Sequence, residues 1–325
     1  MSDLRLRIVY MGTADFAVPA LDALFKAGHE IVFVVTQPDR PWGRGGKVRP
    51  TPIGAYAEKE GLALLKPERI RDNEEFISEV TAAAPDLIVV AAYGKILPKI
   101  LLEIPPLGCV NIHASQLPEY RGAAPVQRAL LDGVQETGVT LVYMGEGLDS
   151  GDIIASSGVN VSDMNAGELT EVLAVHGARI LIDSLPFIAD GTAPRIPQDE
   201  SKATYAEKIE KSDGLLDFSG RTAEEIVRRV RAMTPAPGAF VMNEGERIGI
   251  TEAAVYKPLF PGGVDFGFMV YKASKPGTVC EVIWRGIVVR AAEGVVLIKA
   301  IKMPGRKAMP VEEYLKGNRF NIKKL

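Results

Sequence analysis

Five runs of apolar, largely β-branched residues dominate the first half of this chain. They are Arg7–Met11, Ile31–Thr36, Asp86–Ala92, Cys109–Ile112 and Val139–Met144. Between them, Asp15 to about residue 27, Thr51–Glu60 and Asn73–Ala83 read as helices, and Glu168–Ala189 reads as a longer amphipathic helix. Strands that are apolar on both faces belong inside a sheet covered on both sides, and strand–helix alternation builds such a sheet mainly from parallel strands. The expected fold class is therefore α/β, with an N-terminal doubly wound, mainly parallel, Rossmann-like sheet. Asp15 is placed to cap the first helix and Gly28 to stop it. Ligands of open α/β sheets lie beyond the carboxyl ends of the strands. The tips of the first, third, fourth and fifth strands are expected to gather there.

Residues 191–208 break this pattern with two prolines, several charged residues and little apolar periodicity, and they read as a linker. Beyond them come one helix, Thr222–Met233, and short β-rich pieces at Gly238–Met242, Arg247–Ala254, Gly277–Ile283, Gly286–Ala291 and Gly294–Ile301. That spacing predicts a smaller C-terminal β-barrel or sandwich. A chain of 325 residues has room for both cores. The domain reading is thus 1–190, a linker at 191–208, and 209–325.

Charge divides along the same line. Residues 1–207 carry 18 Lys and Arg against 28 Asp and Glu, whereas residues 208–325 carry 20 against 13. A basic half fits a polyanionic partner, and it also fits a solvated surface. The N-terminus lacks the apolar stretch of a signal peptide, and no run reaches the ~18 apolar residues of a membrane span. The expectation is a cytoplasmic protein without membrane contact. Cys109 and Cys280 read as reduced, small buried hydrophobes. Nothing in the sequence asks for a dimer, so a monomer is expected.

Several residues carry chemistry. Gly12-Thr13-Ala14-Asp15 follows the first strand where a dinucleotide fold has its glycine fingerprint, but only one glycine is present, which disfavours NAD or FAD. Residues 36–52 form a long Gly/Pro-rich loop carrying Arg40, Arg44, Lys47 and Arg49 beside Trp42. Arginines interleaved with an aromatic ring stack on bases and grip phosphates, and the same composition also makes a flexible surface loop. Backbone groups at Gly94–Leu97 are suited to hydrogen-bond a flat heterocycle, or simply to pack. The chain has three histidines, of which His29 and His176 read as structural. Asn111 and His113 lie two apart, so on one strand they face the same side. Asp149, in a later Gly-Leu-Asp-Ser-Gly-Asp turn, can orient and charge the imidazole. A carboxamide, an imidazole and a carboxylate together suit acyl transfer. No Gly-x-Ser-x-Gly elbow is present, and no histidines or cysteines stand at zinc-ligand spacing.

At these residues the chain resembles the methionyl-tRNA formyltransferases, over nearly its whole length. The resemblance is carried by Tyr10-Met11-Gly12-Thr13, Pro38-Asp39-Arg40-Pro41, Asn111-x-His113, Ser115-x-Leu117-Pro118-x-Tyr120-Arg121-Gly122-Ala123 and Gly147-Leu148-Asp149-x-Gly151-Asp152. It continues through Gln198–Ala206 in the linker and Pro235-x-Pro237-Gly238-Ala239 beyond it. The Asn–His–Asp signature is that of the wider superfamily of enzymes using 10-formyltetrahydrofolate; the linker motif and the second, OB-like domain select the tRNA family. The resemblance implies formyl transfer to the α-amino group of methionyl initiator tRNA, with no metal. It implies catalytic roles for Asn111, His113 and Asp149. It places the folate co-substrate along Tyr93, Gly94, Ile96 and Leu97, along Ser115, Gln116, Leu117 and Pro118, and by Met144. It gives the basic loop, Arg40, Arg44, Lys47 and Arg49, to the acceptor end of the tRNA. Two positions depart from the family pattern: Gln116 stands in place of a leucine, and Glu207 in place of a proline.

Overall fold

The computed structural model describes residues 4–42, 46–257, 271 and 273–325, with backbone alone at Trp42 and Lys47. The strands of the first unit are β1 (Arg7–Gly12), β2 (Glu30–Val35), β3 (Arg40–Trp42), β4 (Lys47–Arg49), β5 (Leu64–Leu65), β6 (Leu87–Ala91), β7 (Cys109–His113), β8 (Arg121–Gly122), β9 (Glu136–Tyr143), β10 (Ile153–Asn160) and β11 (Tyr205–Ala206). Seven of them form one sheet in the order β10-β9-β7-β6-β1-β2-β5. The strands from β5 to β7 run parallel, as their continuous burial requires. The order reverses between β1 and β6, which opens a crevice at their carboxyl ends.

Local signals set the helices. Thr51 caps the helix Pro52–Glu60 by accepting from the Gly54 N–H, and Gly61 ends it at φ 69°. Asn73 caps Glu74–Ala83 through the Phe76 N–H. That helix buries Phe76 and Val80 against the sheet face bearing Val9, Met11, Ile88, Val90 and Cys109. On the other face, Gly177 of the helix Ala166–Ala189 leaves no room for a side chain: a Cβ there would lie 2.6 Å from Ile112. Both faces are therefore covered.

Three expectations are corrected. Asp15 does not cap a helix; it starts a 3-10 turn, Asp15–Ala17, and the helix Val18–Lys26 begins at Ala17 without a side-chain cap, its entry set by Pro19. The 36–52 segment has regular structure of its own, since β3 and β4 pair antiparallel, Arg40 opposite Arg49. The fifth predicted strand, β9, runs antiparallel to β7, so its tip does not join the others at the carboxyl edge. The helix Ala166–Ala189 is long and apolar enough to cross a membrane by length and composition alone. We read it as a core helix, because Leu169, Leu173, Leu181, Leu185 and Ile188 are buried along one face.

In the second unit, β12 (Ala239–Asn243), β13 (Glu246–Val255), β14 (Val279–Ile283), β15 (Gly286–Arg290) and β16 (Val295–Lys302) make an antiparallel sheet in the order β12-β13-β16-β15-β14, and β17 (Met309–Pro310) pairs with β16. The helix Ala223–Met233, opened by a Thr222/Glu225 capping box, packs on β13 and β16 and buries Ile226, Val230 and Met233. Both cysteines are free thiols, and burial pushes that of Cys109 up to about 12.

Candidate active site

β7 carries Asn111 and His113 on one face, and its last residue, His113, reaches the carboxyl edge of the sheet. β6 lies parallel on one side, with Val90 opposite Asn111, and β9 antiparallel on the other, with Thr140 opposite His113. Because β9 is antiparallel, its exit lies at the amino end of β7, where the Met144 N–H donates to the Cys109 carbonyl at 2.8 Å. The chain must then return along β7 to bring an acid to the histidine. Gly151 permits that path: a Cβ there would sit 1.7 Å from the Tyr143 carbonyl oxygen, so no side chain fits. Asp149 takes φ 49°, in the left-handed region that non-glycine residues seldom adopt.

The return places one carboxylate against three donors. Asp149 Oδ1 accepts from Asn111 Nδ2 at 3.4 Å. Asp149 Oδ2 accepts from the Gly122 N–H at 2.9 Å and lies 3.5 Å from His113 Nδ1. The other ring nitrogen, Nε2, lies 3.0 Å from the Tyr120 carbonyl oxygen. Both imidazole nitrogens thus face acceptors, an arrangement that the doubly protonated ring satisfies in full. The side chains of His113 and Asp149 are only 7% and 15% exposed, so water competes little for their contact. Such a set can donate hydrogen bonds to a developing oxyanion and move a proton at one atom's reach.

The neighbouring turns are braced by hydrogen bonds. Ser115 is fully buried, and its Oγ donates to the Glu119 carbonyl at 2.6 Å. Thr140 Oγ1 donates to the Ser115 carbonyl at 2.6 Å and accepts from the Leu117 N–H at 3.1 Å. The Leu117–Pro118 peptide is cis. The Tyr93 ring is buried, which pushes its phenol up, and its carbonyl accepts from Thr13 Oγ1 at 3.1 Å and Gln37 Nε2 at 2.8 Å. Gly94 follows at φ 75°, Ile96 is 74% exposed and Leu97 is buried. Tyr93–Leu97 and Ser115–Pro118 therefore follow the carboxyl ends of adjacent strands, whereas Met144 sits by Cys109 and packs on the core.

Gln116 rests on the paired glycines Gly138 and Gly158 of β9 and β10, where added Cβ atoms would meet its side chain at 2.7 Å and 3.0 Å. Its amide also reaches Glu136 Oε1 at 3.4 Å. Gln116→Leu keeps the packing and loses one long, exposed hydrogen bond. Its expected cost is under about 0.5 kcal/mol, to be read as an unchanged urea midpoint.

Of the basic-loop residues, Arg40 and Arg49 are exposed on the β3–β4 ribbon, Lys47 is described by its backbone alone, and Arg44 lies outside the described residues. Asp39 does not offset them, being paired with Lys66 at 2.7 Å. Sequence reasoning assigned no role to Thr140, Arg121, Gln198 or Thr204. Thr140 had a signal, a polar residue interrupting an apolar strand. Gln198 stood in the linker motif with nothing to mark its partners, since its amide meets the carbonyls of Asp149 and Gly151 from 49 and 47 residues away. Among the described residues, no cluster of three or more His, Cys, Asp or Glu is arranged to hold a metal ion.

Comparison with known proteins joins this geometry to a family. The profile described as Formyl transferase matches residues 5–185, and that described as Formyl transferase, C-terminal domain, matches residues 208–319. The methionyl-tRNA formyltransferase of Moorella thermoacetica is 42% identical over 313 residues, covering 96% of each chain. That of Ruminiclostridium cellulolyticum is 38% identical over 317 residues, covering 97% of this chain and 98% of its own. Among solved structures, HypX from Aquifex aeolicus in complex with tetrahydrofolic acid superposes with a TM-score of 0.63 at 18% identity, over 99% of this chain and 51% of that one. An N-formyltransferase from Helicobacter canadensis, in complex with folinic acid and dTDP-3-aminofucose, gives 0.63 at 16% identity, over 90% of this chain and 98% of its own. At these identities the structural likeness speaks for the fold.

Proposed function

The chain belongs to the formyl transferase family, and on that premise we propose that it moves a formyl group from 10-formyltetrahydrofolate to the α-amino group of methionyl initiator tRNA. The observation that carries the chemistry is the convergence of Asn111 and His113 on the Asp149 carboxylate, at 3.4 Å and 3.5 Å. The choice of acceptor rests on curated relatives of that activity matching over 96% of the chain, second domain included.

In this reading the methionyl amine attacks the formyl carbon and a C–N bond forms. Asn111 Nδ2 and the His113 Nε2 N–H, which turns from the Tyr120 carbonyl to the formyl oxygen, hold the charge that gathers there. Asp149 keeps both donors in place and helps take the proton that the amine sheds. As the carbon–N10 bond breaks, N10 is reprotonated, leaving tetrahydrofolate and formylmethionyl-tRNA. The folate fits the exposed face of Ile96, the Gly94 turn, where a Cβ would meet Gln37 at 2.8 Å, and the Ser115–Pro118 turn. Arg40, Arg44, Lys47 and Arg49 meet the acceptor end of the tRNA, and the basic residues beyond 208 meet its phosphates. One chain supplies all three central side chains, so a monomer suffices, and it works in the cytoplasm, where charged initiator tRNA is found.

The test is acceptor scope. The purified chain with 10-formyltetrahydrofolate should formylate charged initiator tRNA; formylation of glycinamide ribonucleotide or an amino sugar in its place rejects the assignment. Phosphate contacts also predict that tRNA affinity falls steeply with salt, by about 10³-fold between 50 and 200 mM if six phosphates are held. A flat response would remove the basic surface from tRNA binding.

A further inference from the structure

The segment after the sheet's last helix returns to the site. β11, Tyr205–Ala206, pairs with β8, Arg121–Gly122. Ahead of it, Gln198 Nε2 donates to the carbonyls of Asp149 at 2.8 Å and of Gly151 at 2.7 Å, on either side of Ser150. Its Oε1 accepts from Arg121 Nε at 3.1 Å and Nη2 at 2.8 Å. Both amide donors and both lone pairs of this side chain are therefore in use. Arg121 is buried and forked onto Glu200, Nη1 to Oε2 at 2.9 Å and Nη2 to Oε1 at 2.8 Å. Next along the backbone, the Gly122 N–H binds Asp149 Oδ2. Thr204 Oγ1 accepts from the N–H of Tyr120, whose carbonyl faces His113.

We infer that residues 198–206 form a strap that is part of the active site, and that Gln198 is a positioning residue that sets the Asp149 carboxylate between Asn111 and His113. The inference rests on the formyl-transfer reading and goes beyond it, because that reading gives the segment after the catalytic domain no part in the chemistry. The loop from Met144 to Asp152 holds three glycines and no regular structure, so it has little stiffness of its own. Asp149 must nonetheless hold a left-handed φ while its carboxylate meets three donors. Gln198 supplies two backbone ties on either side of the loop's turn. Arg121 couples those ties to the strand whose next N–H binds the carboxylate itself. The Arg121–Glu200 pair is an orienting device, since the Glu200 side chain is 69% exposed and such pairs add little stability.

A misplacement of about 1 Å in a catalytic group costs ~10²-fold in rate. Gln198→Ala is therefore expected to lower kcat by ~30–100-fold while leaving KM for charged tRNA and for the formyl donor within about 2-fold. A strap that merely holds the fold together would lower the melting temperature and reduce activity equally in any background. The deciding measurement is a double-mutant cycle. If Gln198 acts through Asp149, the kcat loss from Gln198→Ala disappears when Asp149 is already Asn. Equal losses in both backgrounds, or an unchanged kcat, overturn the inference. Glu200→Ala trims an exposed side chain and is the variant to use should Gln198→Ala not fold. It should lower kcat by ~5–10-fold, with the same dependence on Asp149, and Glu200→Gln, which keeps an acceptor for Arg121, should restore most of it. The cycle is run with whichever amine the wild-type protein formylates. Failure of charged tRNA as acceptor then rejects the proposed function, and additivity in the cycle rejects the strap.

Discussion

His113→Ala should lower turnover by about 10³-fold and leave the Kd for charged initiator tRNA within about 2-fold. In the proposed reaction the Nε2 N–H leaves the Tyr120 carbonyl for the formyl oxygen, and removing one such donor to an oxyanion costs ~10²–10³ in rate. The remaining donor also suffers. Asn111 is aligned by Asp149 Oδ1 at 3.4 Å, and Asp149 is aligned in part by the ring it faces at 3.5 Å. Alanine leaves the Tyr120 carbonyl and Asp149 Oδ2 each short of one donor. Losing hydrogen bonds in a shielded site costs about 0.5–1.5 kcal/mol of stability each, so rates are to be compared well below the variant's melting temperature. Binding of tRNA is expected to hold because the residues proposed to grip it, Arg40 and Arg49 among them, lie on the β3–β4 ribbon and not on β7. Single-turnover formylation and filter binding separate the two effects. Unaltered turnover would remove His113 from the mechanism, and a matching loss in tRNA affinity would make it a binding residue.

The difference between what this chain shows in sequence and what only coordinates show is physical. Strands β1, β2, β6 and β7 were legible because a strand buried on both faces leaves an unbroken apolar run, and the helices opening at Thr51, Asn73 and Thr222 were legible because their starts are set by local bonds. Strand direction has no such mark, and the antiparallel course of β9 was missed on that account. β10 was missed because it lies at the sheet edge, where Ser156, Ser157 and Gly158 dilute its apolar residues. The pairing of β3 with β4 was hidden by the density of glycine and proline across residues 36–52. In the site, Asn111 and His113 were readable from their spacing alone, since two residues on one strand share a face. The Asp149 partner was readable as an acid in a glycine turn. The backbone that holds the set, Gly122 N–H and Tyr120 C=O, was not, because every residue offers those groups and only the fold selects which are aimed.

Asp149→Asn should be the more damaging of the two substitutions, with turnover down by 10³–10⁴-fold. The carboxylate is acceptor-only and faces donors on both oxygens: Asn111 Nδ2 on one, the Gly122 N–H and His113 Nδ1 on the other. An amide of the same shape has a single acceptor oxygen. Turned one way, its NH2 group opposes Asn111; turned the other, it opposes Gly122 and His113. Either orientation sets donor against donor in a site where both side chains are largely shielded from water. Where a carboxylate orients a catalytic imidazole in serine proteases, its conversion to the amide lowers kcat by about 10⁴-fold with geometry intact. Asp149→Glu should not recover the rate, because φ 49° at residue 149 and the close approach of Gly151 to Tyr143 fix the backbone, and a longer side chain overshoots Asn111. The ordering is informative in itself. If Asp149 organises both donors, its loss exceeds that of His113 alone, and Asn111→Ala adds little to Asp149→Asn. Single-turnover rates within tenfold of wild type for Asp149→Asn would instead mean that Asn111 and His113 are held by the fold without the carboxylate, and that solvent takes the amine's proton.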